Sequence, residues 1–467
     1  MLTVGSLALL YFAWKCLSKN NLIEVYKLFF SLTIIVELLI ERGYFIQLGS
    51  IQIAYRTVCE LVLFILSVIL CTKNKAKKYI FSTTSILFII VLIGIILLIV
   101  FPTKATGATM EISWDDILMN KAPKQNIIFN TGMYTELMQL MFYLVIIITA
   151  VSLFCKDDYI YILEKVVLYS KPIMYINCLE ILTKYIFHSN IYTSILNMIL
   201  GNSYATTSQL EYRGNGFVLS GFNKEASHYA YSLLILFLLA FCYYICLEKK
   251  IDLKYIIIVA INFLLTMSFS TIYFGACAIL FVLIYYWQRR GYSTIKLSVF
   301  ISIFVIGIYA LFYFLPAISG AIGSTGFFGR RVSSVLEELS LLSNGKWLRA
   351  TTALEWSNRV RLGSTYETFK LIVYRPLLGL GFSAASAHSS FAMLLSGVGI
   401  IGTFSYLKVI FGWENKIIKF NKSIYISFIF IFIFSLLLNS LGLRPFYEVW
   451  NILLAFSFAF LASKGRK

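Results

Sequence analysis

Long apolar runs, separated by polar connectors, make up most of this chain. An apolar run of roughly 20 residues is long enough to cross the hydrocarbon core of a bilayer as a helix. Spans are predicted at residues 2–14, 22–40, 52–71, 79–101, 134–154, 161–187, 226–247, 252–268, 270–287, 294–315, 390–411, 423–441 and 446–463. The pattern therefore predicts an all-α polytopic membrane protein with about 12 to 13 transmembrane helices.

The polar connectors fall into two groups, short basic ones and three long ones. Basic connectors of a membrane protein face the cytoplasm, so the short ones assign that side. The short basic segments are 73–78, 248–250, 288–290, 416–422 and the C-terminal 464–467. The long connectors 102–133, 188–225 and 317–389 are then extracytoplasmic, and loops of this length usually carry function.

The same pattern divides the chain into four parts. Residues 1–187 form a set of N-terminal transmembrane helices, and 188–316 form the central helices with the outer loop that precedes them. Residues 317–389 form a large extracytoplasmic loop, and 390–467 form the C-terminal transmembrane helices. Helical apolar spacing between Ser333 and Phe369 predicts one or two helices lying across the outer face.

The composition agrees with a membrane protein and argues against nucleic acid and zinc as partners. The chain is 59% hydrophobic and 13% charged, with a mean hydropathy of +0.82, which excludes a soluble globule. The net charge of +18 comes mostly from short connectors, so it indicates membrane topology and no nucleic-acid partner. The eight cysteines lie in or beside apolar spans without a CxxC spacing, which predicts neither disulfides nor zinc.

The last long loop is rich in arginine and lysine, although basic residues usually lie on the cytoplasmic side of a membrane protein. An anionic ligand such as a phosphate or pyrophosphate explains their presence in an outer loop. Arg359 and Arg361 precede the Pro-Leu-Leu-Gly-Leu-Gly turn at 376–381, and His388 follows it. The arginines could instead bind anionic lipid headgroups from an amphipathic helix. His388 is either an ordinary loop histidine or a general base or oxyanion-type donor.

A second candidate group closes the loop 188–225. Arg213 is followed by glycines and then by Glu225 at the entrance of a span. Arg213 could clamp a phosphate and Glu225 could position or activate a hydroxyl, or the two could be an interfacial arginine and an acid at a helix N-terminus. The outer loops hold no Asp-x-Asp motif and no His–Asp–Glu cluster, apart from Asp115–Asp116 in the first, so the chemistry is predicted to need no metal or cofactor.

These two groups resemble the signature of the O-antigen polymerase and ligase superfamily of bacterial envelope polysaccharide assembly. The first block is Arg361, then Arg375-Pro-x-x-Gly379-x-Gly381, His388 and the glycines of 397–402. The second is Arg213, Gly216 and Gly221-Phe-x-x-Glu225-x-Ser227. The chain departs from the family pattern by having Ala226 instead of proline, Ser389 instead of asparagine, and Ser270-Thr271 without the usual arginine.

The resemblance implies a GT-C-like, inverting glycosyltransferase in the bacterial cytoplasmic membrane, with its site facing the periplasm or the exterior. Its donor and acceptor would be polyprenyl-diphosphate-linked oligosaccharides, with a chain-length regulator and a flippase as further candidate partners. By the same resemblance, the pyrophosphate ligands would be Arg213, Arg361 and Arg359. His388, or alternatively Glu225, would assist the acceptor hydroxyl.

Three alternatives to an O-antigen or capsular polysaccharide polymerase stay open. An O-antigen ligase would transfer the glycan to a lipid A–core acceptor, but Ser270-Thr271 departs from the ligase pattern. A lipid-linked oligosaccharide flippase or other transporter would carry charged residues inside its spans around a central cavity. A structural membrane scaffold would need neither of the two residue groups.

Overall fold

A computed structural model describes residues 2–18, 21–73, 78–106, 112–122, 124–186, 191–201, 212–213, 216–217, 219–249, 251–266, 269–289, 356–439, 441 and 444–463. The predicted span 294–315 and residues 317–355 of the last long loop lie outside this description. The described part is built almost entirely of α-helices.

The helices of the first half are α1 (Val4–Leu17), α2 (Leu22–Leu39), α3 (Tyr55–Lys73), α4 (Lys78–Val100), α5 (Trp114–Leu118), α6 (Thr131–Leu153), α7 (Lys156–Ile186) and α8 (Ile191–Leu200). Those of the second half are α9 (Ala226–Cys246), α10 (Leu253–Leu265), α11 (Phe269–Arg289), α12 (Trp356–Leu371), α13 (Ser390–Phe411), α14 (Lys422–Ser435) and α15 (Trp450–Ser463). Most of these boundaries lie within a few residues of the predicted spans, because apolar runs and their polar ends are both visible in the sequence.

Among the described residues, five helices are long and apolar enough to cross a membrane: Tyr55–Thr72, Phe81–Val100, Gly132–Leu153, Ala226–Ile245 and Ser390–Lys416. Shorter apolar helices of 10–17 residues accompany them, α10 and α15 among others. The prediction of an all-α membrane protein is therefore confirmed. Residues 161–186 of the predicted span 161–187 lie in the single helix α7, which contains Pro172. A total of about 12 to 13 spans and a GT-C arrangement stay predictions.

In the part of the chain that the structure describes, short antiparallel hairpins occupy three connectors, and the apolar pattern did not reveal them. β1 (Ile46–Leu48) pairs with β2 (Ile51–Ile53) between α2 and α3. In the loop 102–133, β3 (Thr103–Thr106) pairs with β4 (Lys124–Ile127), and α5 lies between these strands in sequence. In the loop 188–225, β5 (Tyr212–Arg213) pairs with β6 (Gly216–Phe217).

The centre of the bundle is formed by α15 together with α9 and α2. Residues 450–462 of α15 are all buried, as expected for a helix that is apolar on every face. Tyr159 of α7 stacks on Phe456 of α15 with ring centroids 4.7 Å apart. Helices such as α4 keep many large apolar side chains exposed, among them Ile96 and Ile99, which suits a surface in contact with lipid.

The helices alternate in direction, so the bundle has two distinct ends. One end holds the C-termini of α2, α4 and α7 and the N-termini of α3, α6, α9, α13 and α15; we call it the site end. Contacts cross the site end, for example from the Glu41 N–H to the Phe222 carbonyl at 3.0 Å. At the opposite end Lys27 contacts Asp158 at 2.9 Å. Helices α3, α9, α11 and α13, which basic connectors follow in the sequence, end at that opposite end.

Helix α13 is broken at Gly399, whose φ of 66° and ψ of −173° are not helical. The break removes the bonds that Ile400 N–H and Ile401 N–H would donate to the carbonyls four residues earlier. The segment 376–381 replaces them. Ile400 N–H donates to the Pro376 carbonyl at 2.9 Å, and Ile401 N–H donates to the Leu377 carbonyl at 3.2 Å.

The carbonyls of α13 that lost their helical donors are satisfied by the same segment. Leu380 N–H donates to the Ser396 carbonyl at 2.8 Å, and Gly381 N–H donates to the Gly397 carbonyl at 3.0 Å. We call these four bonds the interlock of segment 376–381 with α13. Backbone polar groups at membrane depth must be paired within the protein, and the interlock does this at the break.

Candidate functional site

Arg361 and His388 are brought together at the site end, although a long glycine-containing connection separates them in sequence. The hydroxyl of the buried Ser364 accepts a hydrogen bond from the His388 N–H at 3.3 Å. The same hydroxyl donates to the Arg361 carbonyl at 3.3 Å. Both Arg361 and His388 are half-buried, so each side chain is held by the protein and still reaches solvent.

Two features of the fold fix this pair. Arg361 lies in the second turn of α12, and His388 lies just before α13, whose first turn is capped by the Ser389 hydroxyl at 3.3 Å from Ala392 N. The interlock fixes the intervening segment against α13. The position of the histidine relative to the arginine is thus set by backbone hydrogen bonds and does not depend on side-chain packing alone.

Arg359 points to a different neighbour. Residues two apart on a helix do not face the same side, and Arg359 contacts Asp115 of α5 at 2.6 Å. Asp115 belongs to a short helix capped by Ser113, and both partners of the pair are about one quarter exposed (26% and 25%). The sequence placed Arg359 beside Arg361 as a pyrophosphate ligand. In the structure a carboxylate already accompanies its charge.

Ser364→Ala is expected to lower the free energy of unfolding by about 1–2 kcal/mol, because the buried His388 N–H would lose its acceptor. Thermal and denaturant unfolding of the purified variant in detergent measure this effect. Ser427→Ala, at a half-buried serine of α14 whose hydroxyl donates to the Ser423 carbonyl of its own helix, is the control and should change stability little. An unchanged stability of Ser364→Ala would mean that the Ser364 hydroxyl does not hold the His388 backbone.

Glu225 is the N-cap residue of α9. Its position is therefore that of an acid at a helix N-terminus, one of the two interpretations that the sequence allowed. Its side chain makes no capping bond to the backbone and instead accepts a hydrogen bond from the Ser227 hydroxyl at 3.0 Å. The neighbouring Lys224 N–H donates to Glu41 at 3.2 Å. Glu225 therefore lies beside the α2–α9 contact, whereas His388 lies beside α12.

The glycine-containing turn before Glu225 docks onto α2 and α7. Gly221 has a φ of +55°, and its N–H donates to the buried Glu180 of α7 at 2.8 Å. The Phe222 carbonyl accepts from the Glu41 and Arg42 N–H groups. This glycine and its neighbours thus fix the entrance of α9. Arg213 precedes the turn in β5, and its side chain lies outside the described part of the structure.

A network of ion pairs lies at the site end and was not expected from the sequence. Arg56 of α3 contacts Glu448 at 2.8 Å and Glu60 at 2.5 Å. These side chains are less than one tenth exposed. Glu37 joins the same region, because its two carboxylate oxygens accept from the N–H groups of Val449 and Trp450 at 3.0 and 3.2 Å. Its carboxyl group thus lies at the N-terminus of α15, where the first N–H groups have no partner within the helix.

The network continues towards α9 through Arg444. This arginine contacts Glu448 at 3.3 Å and Glu41 at 2.8 Å. Glu41 in turn contacts His228 Nδ1 at 2.9 Å. Burial acts to raise the pKa of Glu41, but its contacts with His228 and Arg444 outweigh that effect and hold the pKa well below its usual 4.5. Glu41 is therefore ionised at neutral pH.

A sequence signal for this network exists. Ionisable residues in or next to apolar spans are uncommon because burying a charge in a membrane is costly. Here they recur in pairs four residues apart, a spacing that places both members on one face where the chain is helical, as it is for Arg56 and Glu60 in α3. The pairs are Glu37 and Glu41, Arg56 and Glu60, and Arg444 and Glu448.

Within the described residues, His, Cys, Asp and Glu side chains form no group of three that could hold a metal ion. Comparisons of the chain with protein-family models, with curated proteins and with solved structures find no match. The geometry of the site end therefore carries the functional argument together with the sequence motifs.

Proposed function

We propose that this protein is a membrane glycosyltransferase that polymerises polyprenyl-diphosphate-linked oligosaccharide repeat units into O-antigen or capsular polysaccharide. The site would face the periplasm or exterior from a bacterial cytoplasmic membrane. The observation that supports this most is the placement of Arg361 next to His388. The Ser364 hydroxyl bridges the backbones of these two half-buried residues, one cationic and one titratable, at the end of the bundle opposite the basic connectors.

The proposed reaction is a direct displacement at the anomeric carbon. An acceptor hydroxyl oxygen attacks that carbon, the bond to the pyrophosphate oxygen breaks, and polyprenyl diphosphate leaves with the electron pair. Arg361 stabilises the charge that develops on the pyrophosphate. His388 orients the hydroxyl and accepts its proton, since an imidazole titrates near neutral pH. A single displacement inverts the configuration, so the product linkage is opposite to the donor linkage.

The other predicted site residues have roles that follow from their positions. Arg359 would have to exchange Asp115 for a phosphate oxygen, so we assign it a smaller share of pyrophosphate binding than Arg361. Arg213 is proposed as a further pyrophosphate ligand from the resemblance alone. Glu225 is the alternative proton acceptor if the acceptor sugar approaches along α9. The chain-length regulator and the flippase stay proposed partners, and no cofactor enters the reaction scheme.

One observation favours a transporter as the second candidate function. Arg56, Glu37 and Glu60 lie inside predicted spans and are buried at the site end, as charged residues that line a transporter's cavity would be. We prefer the glycosyltransferase because these charges contact one another and the helix α15. An O-antigen ligase would use the same Arg361–His388 pair with a different acceptor.

The proposal is tested by complementing a strain that lacks the gene and measuring glycan length on the lipid carrier. Wild type and the exposed control Arg289→Ala are expected to restore a ladder of long chains. His388→Ala and Arg213→Ala should leave mostly single repeat units at equal membrane levels of protein.

Other outcomes of the same experiment identify the alternatives. If polymer forms without this protein but stays on its lipid carrier, the protein is a ligase. If lipid-linked single units accumulate on the cytoplasmic face, it is a transporter, and the catalytic roles of Arg361 and His388 are wrong.

A further inference from the structure

A small cavity lies inside the ion-pair network. Its volume of about 10 Å³ has room for roughly one water molecule. The cavity lies where the C-terminus of α2 meets the N-termini of α9 and α15, and its lining is unusually polar for the interior of a membrane protein. The polar and charged side chains that line it are Glu37, Glu41, Asn223, His228, Tyr231, Ser232, Arg444 and Glu448.

Carboxyl groups outnumber guanidinium groups around this cavity. The acids on every element packed here are Glu37 and Glu41 of α2 and its connector, Glu60 of α3, Glu136 of α6, and Glu448 before α15. The cations are Arg56 of α3, Arg444, and Lys224 at the edge, with His228 of α9 beside them. The weakly acidic neighbours are Cys59, Tyr143 and Tyr231.

Unbalanced negative charge is very unfavourable at a buried position, so such a cluster takes up a proton or a cation. The two guanidinium groups are shared, because Arg56 contacts Glu60 and Glu448, and Arg444 contacts Glu41 and Glu448. Glu41 also has His228, whereas Glu37 forms no ion pair among the described residues. The uncompensated negative charge therefore falls on Glu37 and its neighbour Glu448, and both line the cavity. They lie side by side, because Glu37 accepts the N–H of Val449, the residue directly after Glu448.

An independent observation indicates that something in the cavity donates a hydrogen bond. Asn223 is 2% exposed and lines the cavity. Its Nδ2 donates to the Leu38 carbonyl and to Ser232 Oγ, both at 3.2 Å, which fixes the orientation of the amide. Its Oδ1 has no hydrogen-bond partner among the described residues. A buried acceptor of this kind calls for a donor such as a water molecule.

We propose that this cavity is a proton-binding site, in which Glu37 and Glu448 share one proton and a water molecule links the pair to Asn223 Oδ1. The proton converts one carboxylate of the pair to a carboxylic acid and removes one negative charge from the network. Two adjacent carboxyl groups titrate as a unit, so the proton belongs to the pair. This site is independent of the proposed transferase activity.

The test is infrared spectroscopy of the full-length protein in lipid bilayers at neutral pH, compared between wild type and variants. The carbonyl stretch of protonated carboxyl groups is expected to lose the intensity of one group in Glu37→Gln and in Glu448→Gln. Glu24→Gln, at the exposed opposite end of the same helix α2, is the matched control and should lose none. Spectra of Glu37→Gln and Glu448→Gln that match the control would overturn the proposal.

A second variant keeps the test decisive if the glutamine variants do not fold. Asn223→Leu fills the cavity and leaves both carboxyl groups in place, so the band should persist at a frequency shifted by the loss of the water. An unshifted band would refute the water-linked site. The measurement is repeated with choline replacing sodium at constant ionic strength. If sodium removes the band in wild type, the cavity is a sodium site and the proton proposal is wrong.

Discussion

Arg361→Ala is expected to reduce polymer synthesis by about 100-fold or more, the loss typical of removing one group that stabilises charge on the leaving group. The structure separates this arginine from its neighbour. Arg361 lies at the helical turn bonded to Ser364, whose hydroxyl also holds the His388 backbone, whereas Arg359 is paired with Asp115. Arg359→Ala should therefore cost roughly 10-fold or less, since its charge is already accompanied by a carboxylate.

The measurement is polymer formation from lipid-linked substrate by purified protein in vesicles. Arg361→Lys keeps the positive charge but cannot make the bidentate contact to phosphate oxygens, so partial activity is expected. Asp115→Asn removes the carboxylate that pairs with Arg359 and frees this arginine for phosphate, so it should not lower activity. Equal losses in Arg359→Ala and Arg361→Ala would contradict the distinct roles. Full activity of Arg361→Ala would remove Arg361 from the reaction.

The second large effect concerns the interlock. Gly399→Ala and Gly379→Ala are each expected to lower the free energy of unfolding by about 3–5 kcal/mol, enough to prevent recovery of folded protein. Both glycines have positive φ, 66° and 72°. A Cβ at Gly399 would come within 3.0 Å of the Leu377 carbonyl, and one at Gly379 would come equally close to Gly397. The close neighbours are backbone atoms, which cannot move aside without breaking the four interlock bonds.

Two other glycines serve as controls. Gly49 separates the effect of a positive φ from that of a steric clash, and Gly275 has neither feature. Gly49 also has positive φ, but a Cβ there meets nothing within 4 Å, so Gly49→Ala should cost only about 1–2 kcal/mol for its backbone conformation. Gly275 is helical with its nearest neighbour at 3.6 Å, so Gly275→Ala should be neutral or slightly stabilising. Yield after size-exclusion chromatography and thermal unfolding measure all four variants. A normal melting temperature for Gly399→Ala would show that the break in α13 is not required.

The interlock also explains why a motif of glycines at 379, 381, 397 and 399 accompanies Arg361 and His388. The two segments approach so closely that their backbones exchange hydrogen bonds, and a side chain at Gly379 or Gly399 would prevent this. The glycines therefore act at a distance from the chemistry. They fix the segment that connects the arginine to the histidine.

The sequence by itself determined the class of the protein and most helix boundaries. Apolar length and period depend only on local residue order, so α4, α9 and α13 were predicted to within about three residues at each end. The sequence also identified Arg361, His388 and the glycine turn as one group, because these residues lie close together along the chain. It predicted a helix over part of Ser333–Phe369, and α12 covers the described portion of that segment.

The tertiary structure alone decided which charges meet. The clearest case is a group of residues far apart in sequence, Glu37, Arg56 and Glu448. The packing of α2, α3 and α15 at one end of the bundle brings Arg56 into an ion pair with Glu448 and places Glu37 against the N-terminus of α15. The break in α13 is likewise invisible locally, since its lost hydrogen bonds are replaced by a segment about 20 residues earlier. Buried charges and backbone groups that have lost a helical partner bond to groups that lie near them in space. The order of residues along the chain does not show which groups those are.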